Sequence, residues 1–208
     1  MAYQALVLSV STPPLVRRLI HRIETHSFAD VHTMLRLPVP NYRLDAGCNF
    51  AIAQVLLTAV GGISATLYRQ GATDGQRFKG LLRDHFPWGL ESTQDVPASE
   101  AARIIYEVFR NPLTHDLGLD LHGKSNGIKV KVKRLQRPLP KGGLTEKWIE
   151  KLERRRDRPD MSSSLTVRPD KAVLLIEALY WGLRRMVEAM THDEQLMAKS
   201  NRFLAARL

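Results

Sequence analysis

The stretch IIYEVFRNPLTHDLG, residues 104–118, has the strongest pattern in the chain and guides the interpretation of the rest. Its first residues form an apolar stripe at helical spacing, which leads directly into Arg110. Four residues separate Arg110 from His115, and the first two of them are Asn111 and Pro112. Histidine can exchange protons near neutral pH, and arginine can bind two phosphate oxygens at once. The stretch therefore predicts a helix with a candidate phosphate-directed site at its end.

This arrangement resembles the R-x4-H signature of the HEPN (higher eukaryotes and prokaryotes nucleotide-binding) domains, in which the residue after the arginine is often asparagine, as Asn111 is here. The resemblance covers roughly residues 44–115 and the helix predicted from residue 170. It implies an antiparallel helical bundle and a metal-independent ribonuclease site made of Arg110, Asn111 and His115. It also implies a homodimer, because in that family two copies of the motif meet across the dimer interface.

A role as a toxin or defence effector, with an antitoxin as partner, is a further implication of this resemblance. Toxins of the family that pair with a nucleotidyltransferase antitoxin carry a tyrosine two residues after the histidine. Leu117 occupies that position here, so the modification of such a tyrosine is not expected.

The spacing of the motif needs an explanation. Five steps of about 100° place positions 110 and 115 about 140° apart on a regular helix, and therefore on different faces. Proline cannot continue the helical hydrogen-bond ladder, so we expect Asn111 to cap a new turn that starts at Pro112 and brings His115 round. The alternative is an arginine that interacts with the helix dipole beside a packed or solvated histidine.

The composition is that of a globular domain with a strong positive charge. The chain has 208 residues, of which 44% are hydrophobic, and a net charge of +10. A field of this sign favours polyanions such as RNA, although basic residues that coat a solvated face would give the same number. The single cysteine, Cys48, excludes an intramolecular disulfide, and its apolar surroundings predict a buried thiol.

Helical spacing of apolar residues accounts for most of the chain. Residues 3–10 are expected to form a short strand or an apolar arm, and Ser11 or Thr12 to cap the first helix. Phe50 is placed on the buried stripe of the longest helix, in which the pair Gly61 and Gly62 indicates a close crossing or a kink. The predicted helices span residues 15–25, 28–37, 44–68, 74–86, 98–110, 145–156, 170–190 and 193–206.

After the motif the pattern changes from helical to alternating. Residues 117–121 and 128–132 alternate apolar with polar, and Asn126 and Gly127 between them are a strong two-residue hairpin signal. Residues 165–167 predict a third short strand. We therefore predict a mainly α protein: one HEPN-like domain over residues 1–208, an antiparallel helical bundle with a small antiparallel β-hairpin and a basic helix inserted at 117–168.

Basic residues in this insertion are candidates for nucleic-acid binding, because clustered cations can follow a phosphate backbone. The alternative is that the lysines protect a solvated hairpin edge from aggregation. The candidates are Lys129, Lys131, Lys133, Arg134, Arg154, Arg155 and Arg156.

No metal or cofactor site is predicted. His21, His26 and His32 do not have the spacing of metal ligands, and the glycine-rich nucleotide-binding and nucleophile-elbow motifs are absent from the sequence. With no stretch of about 18 uninterrupted apolar residues, we expect a cytoplasmic protein without a membrane span.

Three functional hypotheses follow. The first is a HEPN-like metal-independent endoribonuclease, in which His115 acts as acid and base and Arg110 binds phosphate. The second is a non-catalytic module that binds RNA or a nucleotide. The third is a purely structural dimerisation bundle.

Overall fold

The computed structural model describes residues 3, 5–36, 48–69, 71, 73–88, 96–115, 129–133 and 164–208, and at positions 36, 114 and 115 the backbone alone. Helices dominate this part of the chain, as the sequence predicts. They are α1 (Pro14–Ile23), α2 (Ala29–Arg36), α3 (Asn49–Thr66), α4 (Asp74–His85), α5 (Ala98–Ile104), α6 (Asn111–His115), α7 (Ile176–Met190) and α8 (Glu194–Ala205). A π turn, Glu24–Phe28, joins α1 to α2, and a second one, Ile105–Arg110, joins α5 to α6.

Helix α3 is the centre of the fold. It packs against α2, α4, α6, α7 and α8 and against the sheet, which agrees with its nearly uncharged sequence. Phe50 does not belong to the buried stripe, since 43% of it is exposed. Within the described chain α3 alone is long and apolar enough to cross a membrane, and half of it is buried inside the protein.

The glycine pair of α3 does not mark a close helix crossing. The helix continues through Gly61 and Gly62, and a Cβ atom added to either would have no neighbour within 4 Å. The close approaches lie at other glycines. A Cβ on Gly80 would meet Tyr68, one on Gly75 would meet Tyr106, and one on Gly182 would overlap the ring of Phe86.

Two predictions at helix starts are wrong. Pro13, which has no capping group, occupies the N-cap of α1, and Thr12 is buried against the core with only 4% of its surface exposed. Cys48 is exposed, because it precedes the first turn of α3 with a left-handed φ of 57°. In contrast, Thr73 and Gln76 form a capping box at the start of α4.

The described chain contains a small mixed sheet, and the predicted antiparallel hairpin falls mostly outside the described residues. The strands of the sheet are β1 (Lys129–Lys133), β2 (Leu165–Arg168) and β3 (Lys171–Leu175), in the order β1-β3-β2. β1 runs parallel to β3, and β2 runs antiparallel to it. The predicted partner strand at 117–121, the Asn126–Gly127 turn and the helix at 145–156 lie outside the described residues. The observed hairpin is β2–β3, which turns at Pro169 and Asp170.

The helix predicted from residue 170 begins only at Ile176. Residues 171–175 form β3 instead, in which Ala172 and Leu174 are buried and the other three residues are half-buried. The spacing of Val173 and Ile176 fits a helix, but the strand has pairing partners on both sides, β1 and β2. Tertiary pairing therefore decides between two patterns that overlap in this segment.

The N-terminal segment is an arm rather than a strand. Its backbone N–H groups bond to side chains that are distant in sequence: Leu6 to Glu24 Oε1 at 2.5 Å, Val7 to Glu188 Oε1 at 3.2 Å and Ser9 to Thr191 Oγ1 at 3.1 Å. The arm buries Leu6, whereas Val10 is 98% exposed. It therefore fastens the first π turn to the C-terminal end of α7.

Beside this arm lies a buried arginine. Only 1% of Arg184 on α7 is exposed, and three aromatic rings surround its guanidinium group. The ring centroids lie 4.8 Å away for Tyr3, 5.6 Å for Tyr180 and 5.4 Å for Trp181, and Arg184 Nη1 donates to the Tyr180 hydroxyl at 3.3 Å. Burial raises the pKa of the Tyr3 phenol, so this ring stays neutral beside the cation.

Candidate functional site

The helix that carries the motif widens where Pro112 enters it. In a regular α-helix the ring of Pro112 would clash with the carbonyl group of Val108, four residues earlier. The turn before it is a π turn, and the N–H of Asn111 bonds to the carbonyl of Tyr106, five residues back. A π turn at this place accommodates the proline without ending the helix.

The expected break at Asn111 is therefore wrong. Asn111 has helical dihedral angles, with φ of −62° and ψ of −52°, and the backbone continues as α6 to position 115. An α-helical path leaves the Cα positions of residues 110 and 115 about 140° apart around the axis. Within a single chain, the helix backbone therefore leaves positions 110 and 115 on different faces. The side chain of His115 lies outside the described part of the structure.

Arg110 and Asn111 contact each other directly. Nη1 of Arg110 donates to Oδ1 of Asn111 at 3.1 Å, and both residues are half-buried. The guanidinium carbon also lies 5.3 Å from the centre of the Tyr106 ring, a distance at which the cation and the ring attract each other. The asparagine and the tyrosine thus orient the arginine, so that it needs little reordering to bind an anion.

Tyr106 and Lys79 are neighbours of the motif that the sequence analysis missed. Nζ of Lys79 lies 5.5 Å from the centre of the Tyr106 ring, which also packs against Phe78 at 5.2 Å. Two cations, Lys79 and Arg110, therefore share one ring. The spacing of Tyr106 four residues before Arg110 was a signal for their contact, but nothing in the sequence connects them to Lys79 on α4.

A cleft of about 560 Å³ lies between α4 and α5 and includes Lys79. Its charges are largely compensated. Lys79 lies 3.4 Å from Glu107, and Arg103 bonds to both Glu107 and Glu100. The lining residues are Tyr68, Gly71, Gln76, Lys79, Gly80, Arg83, Ser99 and Arg103.

Tyr68, which lines this cleft, forms a hydrogen bond to Asp84. The hydroxyl of Tyr68 donates to Asp84, which also accepts from Nε of Arg83 at 2.6 Å. The hydrogen bond from Arg83 holds the pKa of Asp84 below its usual value. Burial, and after it the bond to Asp84, raises the pKa of Tyr68 to about 12. Tyr68 is thus a neutral donor at physiological pH and is not suited to act as a base there.

Of the predicted nucleic-acid-binding residues, three lie in the described chain. Lys129 and Lys131 are exposed and Lys133 is half-buried, on the face of β1 opposite to the buried Val130 and Val132. The prediction of one apolar and one basic face is confirmed for this strand. Arg134, Arg154, Arg155 and Arg156 lie outside the described residues. Within the described ranges no group of three or more His, Cys, Asp or Glu residues could hold a metal ion.

Comparison of the chain with models of protein families, with curated proteins and with solved structures finds no match. The chemical interpretation of the site therefore depends on the residues themselves and on the resemblance of the short motif.

Proposed function

We propose that this chain is a HEPN-like, metal-independent endoribonuclease whose site contains Arg110, Asn111 and His115. The observation that carries the proposal is the bonded pair of Arg110 and Asn111 at the end of an apolar helix, four residues before His115. The net charge of +10 is suited to an RNA substrate.

The reaction would use the RNA's own 2′-hydroxyl group as nucleophile. His115 accepts its proton while the oxygen bonds to phosphorus, and the P–O5′ bond breaks as the leaving oxygen receives a proton from water. His115 then returns its proton to the solvent. Arg110 stabilises the negative charge on the non-bridging phosphoryl oxygens. The products are a 2′,3′-cyclic phosphate and a 5′-hydroxyl end, and no metal is needed for any step.

A homodimer is part of this proposal. Positions 110 and 115 lie on different faces of one helix, so a site that joins them within one chain is difficult to build. A second copy could supply the missing group, as the resemblance implies. A toxin or defence role with an antitoxin partner, in the cytoplasm, would be consistent with such an enzyme.

The test is cleavage of mixed RNA in excess chelator by the wild type, His115→Ala and Arg110→Ala, with His192→Ala as a control that removes an exposed histidine elsewhere. We expect loss of at least about a hundredfold in rate for both site variants, the usual contribution of an acid–base group, and wild-type activity for the control. Fragments should end in cyclic phosphate. Equal cleavage by the wild type and His115→Ala would refute the proposal.

The dimer is tested by mixing the two inactive variants. If Arg110 and His115 act across two chains, heterodimers of Arg110→Ala with His115→Ala contain an intact pair, and part of the activity returns. Wild-type activity without any recovery on mixing would place each site within one chain.

A non-catalytic RNA-binding module is the second candidate, and the lysine face of β1 favours it. In that case RNA binds and weakens steeply with salt, but no fragments form under any of these conditions.

A further inference from the structure

The mixed sheet has a buried face and an outer face. Val130, Val132 and Leu174 are on the buried face, in the core of the protein. Of the eight described residues on the outer face, five are cationic and none is acidic, so these residues together carry an unbalanced positive charge. They are Lys129, Lys131 and Lys133 of β1, Lys171, Val173 and Leu175 of β3, and Thr166 and Arg168 of β2.

The register aligns three of these cations in one row. Lys129 on β1 pairs with Lys171 on β3, and Lys171 pairs with Arg168 on β2. Neighbouring strands are about 4.8 Å apart, so the row spans about 10 Å. Like charges directly opposite each other destabilise a sheet, and this row contains two such pairs.

Structural roles do not explain the central cation. Lysines often protect exposed sheet edges from pairing with other chains, and β1 and β2 are the edges of the described sheet. Lys171 lies on the middle strand, where no edge needs protection. The ion pairs formed within the described residues involve none of the five cations. Asp170, in the exposed β2–β3 turn, is the only acid in these strands and their connecting turn.

We infer that the outer face of the sheet binds the phosphate backbone of a nucleic acid, with Lys171 at its centre. A row of cations held at fixed spacing by the backbone is complementary to a polyanion. The face presents no aromatic side chain, so bases cannot stack on it as they do on single-strand binding platforms. Contact through phosphates alone predicts affinity for duplex RNA with little dependence on base sequence.

This surface is distinct from the Arg110 site, and it shares with the proposed function only the premise that the partner is a nucleic acid. Binding at the sheet needs neither His115 nor turnover. The two ideas can therefore fail separately.

The test uses Lys171→Glu and Lys171→Thr, with Lys199→Glu and Lys199→Thr on the exposed side of α8 as controls of identical charge change. The probe is a mixed-sequence RNA duplex with 2′-O-methyl groups, which lack the hydroxyl group needed for cleavage. Affinity is measured over a range of salt concentrations, and thermal unfolding is recorded for each variant. Cleavage of ordinary RNA is assayed in parallel.

For the Lys171 variants we expect the thermal stability to increase and the affinity for RNA to decrease. The unfolding temperature rises, because threonine removes the like-charge row and glutamate converts it into cross-strand ion pairs. Affinity falls roughly tenfold for Lys171→Glu at low salt, and the dependence of log affinity on log salt becomes shallower by about 0.9 for each phosphate that the protein no longer neutralises. Lys171→Thr gives a smaller decrease in affinity, and the Lys199 variants change little.

Equal decreases in affinity at positions 171 and 199, or unchanged affinity in both Lys171 variants, would overturn the inference and leave the outer face a solvated surface. Undetectable binding by the wild type would overturn it as well. If the wild type binds through Lys171 but does not cleave RNA, the inference stands and the proposed ribonuclease fails. If the wild type cleaves RNA and the Lys171 variants bind normally, the inference fails and the proposed ribonuclease stands.

Discussion

At the scale of single residues, Arg184 has the most unusual environment. A charged group that is 1% exposed is tolerated only when its surroundings compensate for lost hydration, and here three aromatic rings contribute to that compensation. Its position four residues after Tyr180 in a helix was visible in the sequence. The burial was not, because the arm that brings Tyr3 over it comes from the other end of the chain.

Replacing Arg184 should destabilise the protein strongly. We expect Arg184→Ala to lower the free energy of unfolding by about 3–4 kcal/mol, since it leaves a cavity and unpaired buried groups. Arg184→Lys should recover only part of this, because lysine keeps the charge without the planar group that packs on the rings. Urea denaturation of both variants measures the effect.

The exposed Arg202 on α8 is the matched control. Its replacement by alanine should change the free energy of unfolding by no more than about 0.5 kcal/mol. Similar decreases in stability at positions 184 and 202 would show that the rings do not stabilise the buried cation.

At the scale of secondary-structure elements, the glycines of α3 and α7 allow a controlled comparison. Gly62→Ala should stabilise the protein by about 0.5–1 kcal/mol, because alanine has the higher helix propensity and the added Cβ meets no neighbour. Gly182→Ala has the same propensity gain but should destabilise, since its Cβ would overlap the ring of Phe86. The measurement is again denaturant unfolding, and a shift of both variants in one direction would contradict this packing.

The helices predicted at residues 74–86 and 193–206 are observed as α4 and α8, because local chemistry determines where they begin. In the structure Thr73 and Gln76 begin α4 as a capping box, and Asp193 caps α8 by accepting from the N–H of Leu196. The elements that were predicted wrongly depend on contacts between distant parts of the chain. The segment 171–175 is a strand because β1 and β2 both pair with it, and those pairings join distant parts of the sequence.

The candidate site was predictable only as a set of residue types. The sequence indicated Arg110 and Asn111 as members of one candidate site, and the structure shows a hydrogen bond between them. The path of the helix was not predictable. A π turn before Pro112 and a new helix capped by Asn111 can both accommodate the proline ring and its missing N–H. The choice between them requires the packing of Tyr106 against Phe78 on another helix.

At the scale of the whole molecule, the N-terminal arm is bonded to the C-terminal end of α7, which lies far away in the sequence. Leu6→Ala should lower the free energy of unfolding by about 2–3 kcal/mol, because the side chain is buried in the core and the arm is held at this point by Glu24. Val10→Ala, at a position 98% exposed, is the control and should have an effect below about 0.5 kcal/mol. Thermal unfolding monitored by circular dichroism would compare them. Equal stability of the two variants would mean that the arm does not contribute to the fold.

The arm also constrains when this protein can fold during synthesis. Val7 bonds to Glu188, a partner 181 residues later in the chain. At about 5–20 residues per second, the ribosome needs roughly 10–35 s to make the partner after the arm has emerged. During that interval Leu6 and the arm around it lack their completed environment, so this part of the nascent chain is exposed to chaperones and proteases. Slower translation would prolong that exposure, whereas a protein refolding from denaturant has the arm and Glu188 present from the start.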